Sequence, residues 1–247
     1  MKTVDKAMQV LDQFSLEQTE IGLSELARMA GLDKAATRRL LVALSEHGFI
    51  EQAADTRKYR LGHGFLRLAR IREATVPLSD AAQEVANWLA EVTNETVHVS
   101  LPGPHGMTTI AHRLPNRGRV VNITPAELLL FHATASGLAY LAFATPATVE
   151  RVLELKREKM TEATLTDRNE LLSVLKHFRA QGFSQTSNTF EADVASIAMP
   201  FFQHRGDPTG TLAIALPKAE MTDAQRETLL PHLKEGIARI QKALTGL

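Results

Sequence analysis

The chain has 247 residues, 44% of them apolar, enough for about two domains with buried cores. Twenty-eight basic residues balance 28 acidic ones, so the total charge names no partner. The absence of cysteine excludes disulfides, thiolate nucleophiles and Cys-ligated metal. The opening Met1-Lys2-Thr3-Val4-Asp5-Lys6 mixes both signs of charge and has no long apolar stretch behind it, unlike an export signal. The longest apolar region, Leu128 to Ala144, is interrupted by His132, Thr134, Ser136 and Gly137. It falls short of the roughly 20 residues of a membrane-spanning helix. The expectation is a soluble cytoplasmic protein with no membrane partner.

Val4, Ala7, Met8, Leu11 and Phe14 recur at helical spacing, predicting a first helix over 3–15. Ser24 before Glu25-Leu26-Ala27-Arg28-Met29-Ala30, with Gly31 after, reads as a capped short second helix. Asp33 caps a third that runs to about His47. Two helices separated by Gly31-Leu32-Asp33 make a helix-turn-helix pattern. Alternation in Phe49–Gln52 and Arg57–Leu61 around the turn Ala53-Ala54-Asp55-Thr56 predicts a hairpin, and so a winged helix. Residues 64–75 read as another helix, apolar at Phe65, Leu68, Ala69 and Ile71, ended by Pro77. The domain organisation expected is therefore 1–62 winged helix-turn-helix, 63–77 linker helix and 78–247 a second domain.

That second domain alternates element types. Helices are expected at 79–93, 125–131, 136–144, 146–157, 167–181 and 223–244. Strands are expected at 96–102, 107–114, 120–123, 183–187, 195–203 and 211–216. Short connections between several strands favour a mainly antiparallel sheet flanked by helices, an α+β architecture.

The balanced charge hides an asymmetry. Residues 34–72 hold nine cations against three acids, whereas 78–247 hold 16 basic and 18 acidic residues. On a wheel for 33–46, Ala36, Leu40, Leu41 and Leu44 share an inward side. Lys34, Ala35, Arg38, Arg39, Val42 and Ser45 occupy the outward one. A cationic N-terminal half of an exposed second helix is where a recognition helix meets base edges of double-stranded DNA, arginine taking guanine O6 and N7 together. Arg57, Lys58 and Arg60, with Tyr59 between them, belong on the wing, beside the DNA backbone or in a minor groove. Ser24 offers a hydroxyl and a helix start to a phosphate.

These residues resemble the IclR family of bacterial transcription regulators. The N-terminal likeness lies in Ile21-Gly22-Leu23-Ser24-Glu25-Leu26-Ala27, Gly31-Leu32-Asp33-Lys34, Arg39-Leu40-Leu41, Gly48-Phe49-Ile50 and Tyr59-Arg60-Leu61-Gly62. The C-terminal likeness lies in His132-Ala133-Thr134-Ala135-Ser136-Gly137, Gln181-Gly182-Phe183 and Val194-Ala195-Ser196-Ile197-Ala198-Met199-Pro200. The resemblance implies a GAF-like effector domain after the linker helix. It implies a homodimer or homotetramer acting as repressor or activator, and a pocket built from Val121, Ala135, Ser136, Thr186, Val194, Ser196, Ile214 and Ala215. The family often has a cysteine where Ser196 stands and a lysine where Leu138 stands.

Ser136-Gly137 opens an apolar helix whose N-terminus favours an anion, so a carboxylate-bearing effector is expected. The alternative is a hydrolase or transferase carrying an accessory winged helix. Ala133-Thr134-Ala135-Ser136-Gly137 lacks the first glycine of a hydrolase elbow, and no glycine-rich phosphate loop occurs. His98, His105 and His112 are spaced by seven, but strands and a Pro-Gly-Pro-His loop would not converge them on a metal. No catalytic residue, metal or cofactor is expected.

Overall fold

The computed structural model describes residues 2–75, 78–124 and 127–245. The chain divides into two compact units, 1–77 and 78–247.

The first unit runs α1 (Lys2–Leu11), α2 (Leu23–Met29), α3 (Lys34–Glu46), β1 (Ile50–Gln52), β2 (Tyr59–Leu61) and α4 (Gly64–Thr75). Val10, Leu26, Leu41 and Ile50, one each from α1, α2, α3 and β1, form its core with Ile21 from the segment before α2. Asp33 caps α3 as expected, its Oδ1 accepting the Ala36 N–H at 2.7 Å. Ser24 does not cap α2. Gly22 holds that position without a side-chain cap, and Ser24 lies inside the first turn. The reason is tertiary: Ile21 pairs with Tyr59 through two backbone hydrogen bonds of 2.9 and 2.8 Å, which fixes the chain's entry before Ser24 is reached. The inward side of α3 is centred on Thr37 and Leu41. Thr37 is tolerated there because its hydroxyl donates to Asp33 O at 2.9 Å.

The hairpin pairs Ile50 with Leu61 and Gln52 with Tyr59. Its return is held against the end of α3 by glycine backbone. A Cβ on Gly62 would fall 2.3 Å from Gly48 O. In α4 only Gly64 is buried. The Phe65 ring meets Phe49 edge-on, centroids 4.9 Å apart, while Leu66, Leu68 and Ile71 are exposed by 64%, 43% and 50%.

The second unit starts with α5 (Leu78–Thr93), β3 (Thr96–Pro102) and β4 (Met107–Arg113). It continues with α6 (Ala135–Phe143), α7 (Pro146–Leu153), α8 (Arg168–Gln181) and β5 (Ser184–Ser187). β6 (Val194–Phe201), β7 (Gly210–Pro217) and α9 (Asp223–Thr245) complete it. The five strands form one sheet in the order β4-β3-β7-β6-β5, every neighbouring pair antiparallel. Successive residues of a strand face opposite sides. Leu212 thus points toward α5 and α9, where it, Val85 and Leu89 all lie close to Gly236. Ala213 meets α6, in a cluster with Ala135, Ala139 and Ala198. Small residues on both partners seat α6 directly on the sheet.

Three expected elements differ. Residues 120–123 form no strand. The part of the expected 125–131 helix that lies among the described residues, 127–131, is not helical either. Leu129 instead exchanges two backbone hydrogen bonds with Met107, continuing the β4 edge. The helix expected over 146–157 stops at Leu153, where the Arg157 guanidinium turns back onto the Leu153 carbonyl and also reaches Thr166 O at 2.7 Å.

Candidate nucleic-acid interface and effector pocket

On the first unit, Lys34, Ala35, Arg38 and Arg39 are exposed together on the N-terminal half of α3, and Ser24 is exposed on α2. Arg57 and Lys58 are exposed at the hairpin turn, where Arg57 adopts a positive φ of 58°. None of these five cations forms an ion pair with a described residue, so their charge is available to a polyanion. Arg60 is different: it lies 3.3 Å from Glu51 and 3.8 Å from Glu20. Tyr59 departs from the wing-tip placement. It is half-buried and packs on the core beside Ile21. The Asp33 carboxyl is held below its usual range, chiefly by the Ala36 N–H and also by Arg39.

In the second unit a cavity of about 80 Å³ opens on the α6 side of the sheet. Register builds its floor: Thr186, Ser196 and Ala215 are cross-strand neighbours on β5, β6 and β7. The start of α6 closes one side through Thr134 and Ala135. Val121–Ile123, Glu127 and Leu129, and the loop carrying Thr189, Phe190 and Glu191, contribute to the rim with Val194. Thr134 caps α6, its hydroxyl accepting the Gly137 N–H at 3.1 Å and its carbonyl the Leu138 N–H at 3.0 Å. The N–H groups of Ala135 and Ser136, in the first turn, have no intrahelical acceptor.

Of the residues expected around an effector, Val121, Ala135, Thr186, Val194, Ser196 and Ala215 line this cavity. Ser136 and Ile214 do not. Ser136 is 1% exposed, and its hydroxyl is turned to His98 Nε2 at 3.1 Å. Ile214 alternates to the α5 and α9 face and offers only its carbonyl, which accepts from Ser196 Oγ at 2.9 Å. Sequence reasoning missed His98 as a wall residue because its seven-residue spacing drew attention to metal. Its placement follows from β-pairing with Ala213, the α6-facing residue. His112 lies opposite it on β4, and among the described residues no group of three or more His, Asp or Glu could hold a metal ion.

Burial, and then the neighbouring His112, push the His98 pKa down to about 4. Between that value and the ordinary 6.5 the unfolded chain binds more protons than the folded one. His98 therefore lends full stability above pH 6.5, and this declines by about 3 kcal/mol as pH falls through 4. Glu95 runs the other way. Burial and Glu220 raise it to about 7, so its contribution is full below pH 4.5 and is lost as pH rises through 7. Melting temperatures of wild type and His98→Gln between pH 7 and 4 check the first statement. The wild type is expected to fall more steeply, and parallel curves contradict it.

Two family models match the chain: the IclR helix-turn-helix domain over residues 3–54 and the bacterial transcriptional regulator IclR C-terminal domain over 74–241. The HTH-type transcriptional regulator XynR of Escherichia coli is 28% identical over 252 residues, covering 99% of this chain and 97% of that protein. A crystal structure of an IclR-type transcriptional regulator from a Silicibacter species superposes with a TM-score of 0.92 at 39% identity, covering 98% of this chain and 96% of that one. An IclR homologue from Microbacterium hydrocarbonoxydans, solved with 4-hydroxybenzoate, superposes with a TM-score of 0.81 at 22% identity over 99% of this chain and 100% of that one. The winged helix with its free cations, the α6-side cavity and these matches over nearly the whole length together establish that the chain belongs to the IclR family of transcription regulators, DNA-binding proteins with a helix-turn-helix domain.

Proposed function

We propose that this regulator takes a small carboxylate-bearing metabolite in the cavity beside α6 and changes its affinity for operator DNA in response. The observation that carries the reading is the first turn of α6, whose Ala135 forms part of the cavity wall. Its N–H groups and the positive end of the helix dipole favour a carboxylate there. The IclR homologue solved with 4-hydroxybenzoate has such a ligand in its own structure. Lys34, Arg38 and Arg39 would read base edges, and Arg57 and Lys58 would hold the backbone.

The enzyme alternative has one feature in its favour, the Ser136–His98 contact at 3.1 Å. Ser136 is closed off from the cavity, and among the described residues no carboxylate bonds His98 Nδ1 to orient it. A nucleophile needs both access and an oriented base, so binding without turnover is the better account.

The test is thermal shift with a panel of small carboxylates and their primary amides. Carboxylates are expected to raise the melting temperature and amides not. Thr186→Phe, which fills the cavity from the edge strand, should abolish the shift while leaving DNA binding intact. Equal shifts by acids and amides contradict the reading.

The apolar residues exposed on α1 (Val4 and Met8) and on α4 (Leu66, Leu68 and Ile71) support assembly of two or four copies, because patches of this kind mark interfaces. A two-fold pair would place recognition helices about 34 Å apart, one DNA turn. Light scattering at micromolar concentration should give a multiple of 27.2 kDa. The pair Leu68→Glu and Ile71→Glu should give the monomer mass and lose operator affinity. A monomeric wild type with full affinity contradicts the proposal.

A further inference from the structure

One apolar side chain of α3 serves neither the core nor the helix. Val42 is 51% exposed and stands outside the apolar core that Leu40, Leu41 and Leu44 of the same helix join. Valine also forms helix less readily than the alanine, lysine or glutamate that suits a solvated face.

Its place on the helix is what gives it a use. Thr37 and Leu41 mark the buried side of α3. Opposite them, at helical spacing, the exposed residues Ala35, Arg39 and Val42 form a stripe, with Arg38 beside it. Val42 follows Arg38 by four positions and Arg39 by three, so it lies between them one turn further along. Ala35, in the first turn, has a side chain too short to hold the helix off a surface that the stripe faces. Glu46, exposed on the turn after Val42, is repelled by phosphate, which makes Val42 the last residue of the stripe suited to a groove. A protein partner would have to bury two guanidinium charges together with Val42, whereas DNA neutralises them.

Among base edges in the major groove, the apolar group is the C5 methyl of thymine. We propose that Val42 reads that methyl, on a thymine one or two base pairs from a guanine taken by Arg38 or Arg39. The interval follows from the helix, whose turn advances about 5 Å against about 3.4 Å per base pair. The proposal rests on α3 being the reading helix, as above, and adds to it a contact without charge. Val42 therefore discriminates thymine from the other bases and leaves the salt dependence of binding unchanged.

The test is a uracil scan of a duplex selected from a random library. Each thymine in turn is replaced by uracil, which removes the methyl and keeps every hydrogen-bonding group. Affinities of the wild type, Val42→Ala, Arg38→Ala and Arg39→Ala are measured by fluorescence anisotropy. The wild type is expected to lose about three- to fivefold at one thymine of a half-site, the worth of one buried methyl group. V42A should bind the unsubstituted duplex about three- to tenfold more weakly, lose the sensitivity at that thymine and keep the wild-type salt slope. Alanine favours the helix, and melting curves verify that the variant is folded. A wild type indifferent to uracil at every thymine overturns the proposal. So does a loss of equal size in wild type and V42A, which assigns the effect of the methyl to DNA stiffness or to another residue. If uracil has no effect while R38A and R39A lose discrimination between selected and scrambled duplexes, methyl reading fails and the reading helix stands. If none of the three variants alters that discrimination, both fail.

Discussion

Gly137→Ala is expected to destabilise the second unit by about 3 kcal/mol or more, the upper range for overpacking a rigid site. A Cβ at this position would lie 2.4 Å from both Cα and O of Phe131. That backbone cannot yield easily. Phe131 is buried, and the carbonyl before it, Leu130 O, accepts from Ala133 N and Thr134 N at 3.2 Å and from Thr134 Oγ1 at 3.0 Å. The same displacement would pull Thr134 off the Gly137 N–H and open the start of α6. Thermal melting should show a loss of roughly 10 °C for a unit of this size. Effector binding should weaken with it. A melting temperature unchanged within about 2 °C would mean that the close approach of these two backbone segments is not what seats α6.

The second large effect concerns DNA. Arg38→Ala or Arg39→Ala should each remove about 1–3 kcal/mol of discrimination between a selected site and a scrambled one, the worth of a bidentate contact to guanine. Arg57→Ala and Lys58→Ala should weaken both duplexes alike and reduce the salt slope by about one unit each. The difference follows from position. Arg38 and Arg39 project from the exposed face of a helix whose other side is locked by Thr37 and Leu41, whereas Arg57 and Lys58 sit on a tight turn. Fluorescence anisotropy on both duplexes at several salt concentrations makes the comparison. Equal losses on the two duplexes for all four variants would contradict the assignment of α3 as the reading helix.

Much of the fold is legible in the sequence because local and tertiary signals agree. Asp33 is both the residue that caps well and the residue that caps α3, and the strands expected at 96–102 and 211–216 are β3 and β7. The misreadings arise where a long-range contact overrides a local preference. The Ile21–Tyr59 bridge takes the start of α2 away from Ser24, and Leu129 joins the β4 edge in place of a helix. The pocket is legible in part for the same reason. Its floor follows from strand register, so Thr186, Ser196 and Ala215 fall together. Two neighbours that the family likeness implies face elsewhere: Ile214 by strand alternation, Ser136 by its contact with His98. His98 is 38 residues from Ser136 in sequence, and nothing local to either announces the pairing.

Ligand-responsive DNA binding is tested most directly by measuring one coupling from both ends. A duplex selected from a random library is titrated with protein in the absence and presence of a saturating carboxylate that produces the thermal shift. The affinity for that carboxylate is then measured with and without saturating duplex. A ligand can move DNA affinity only by binding the competent and incompetent states unequally, and linkage makes the two factors identical. The account predicts a change of about 5- to 150-fold in operator affinity and the same factor, within error, in effector affinity. A carboxylate that binds the cavity, loses binding with Thr186→Phe and yet leaves operator affinity unchanged would contradict it.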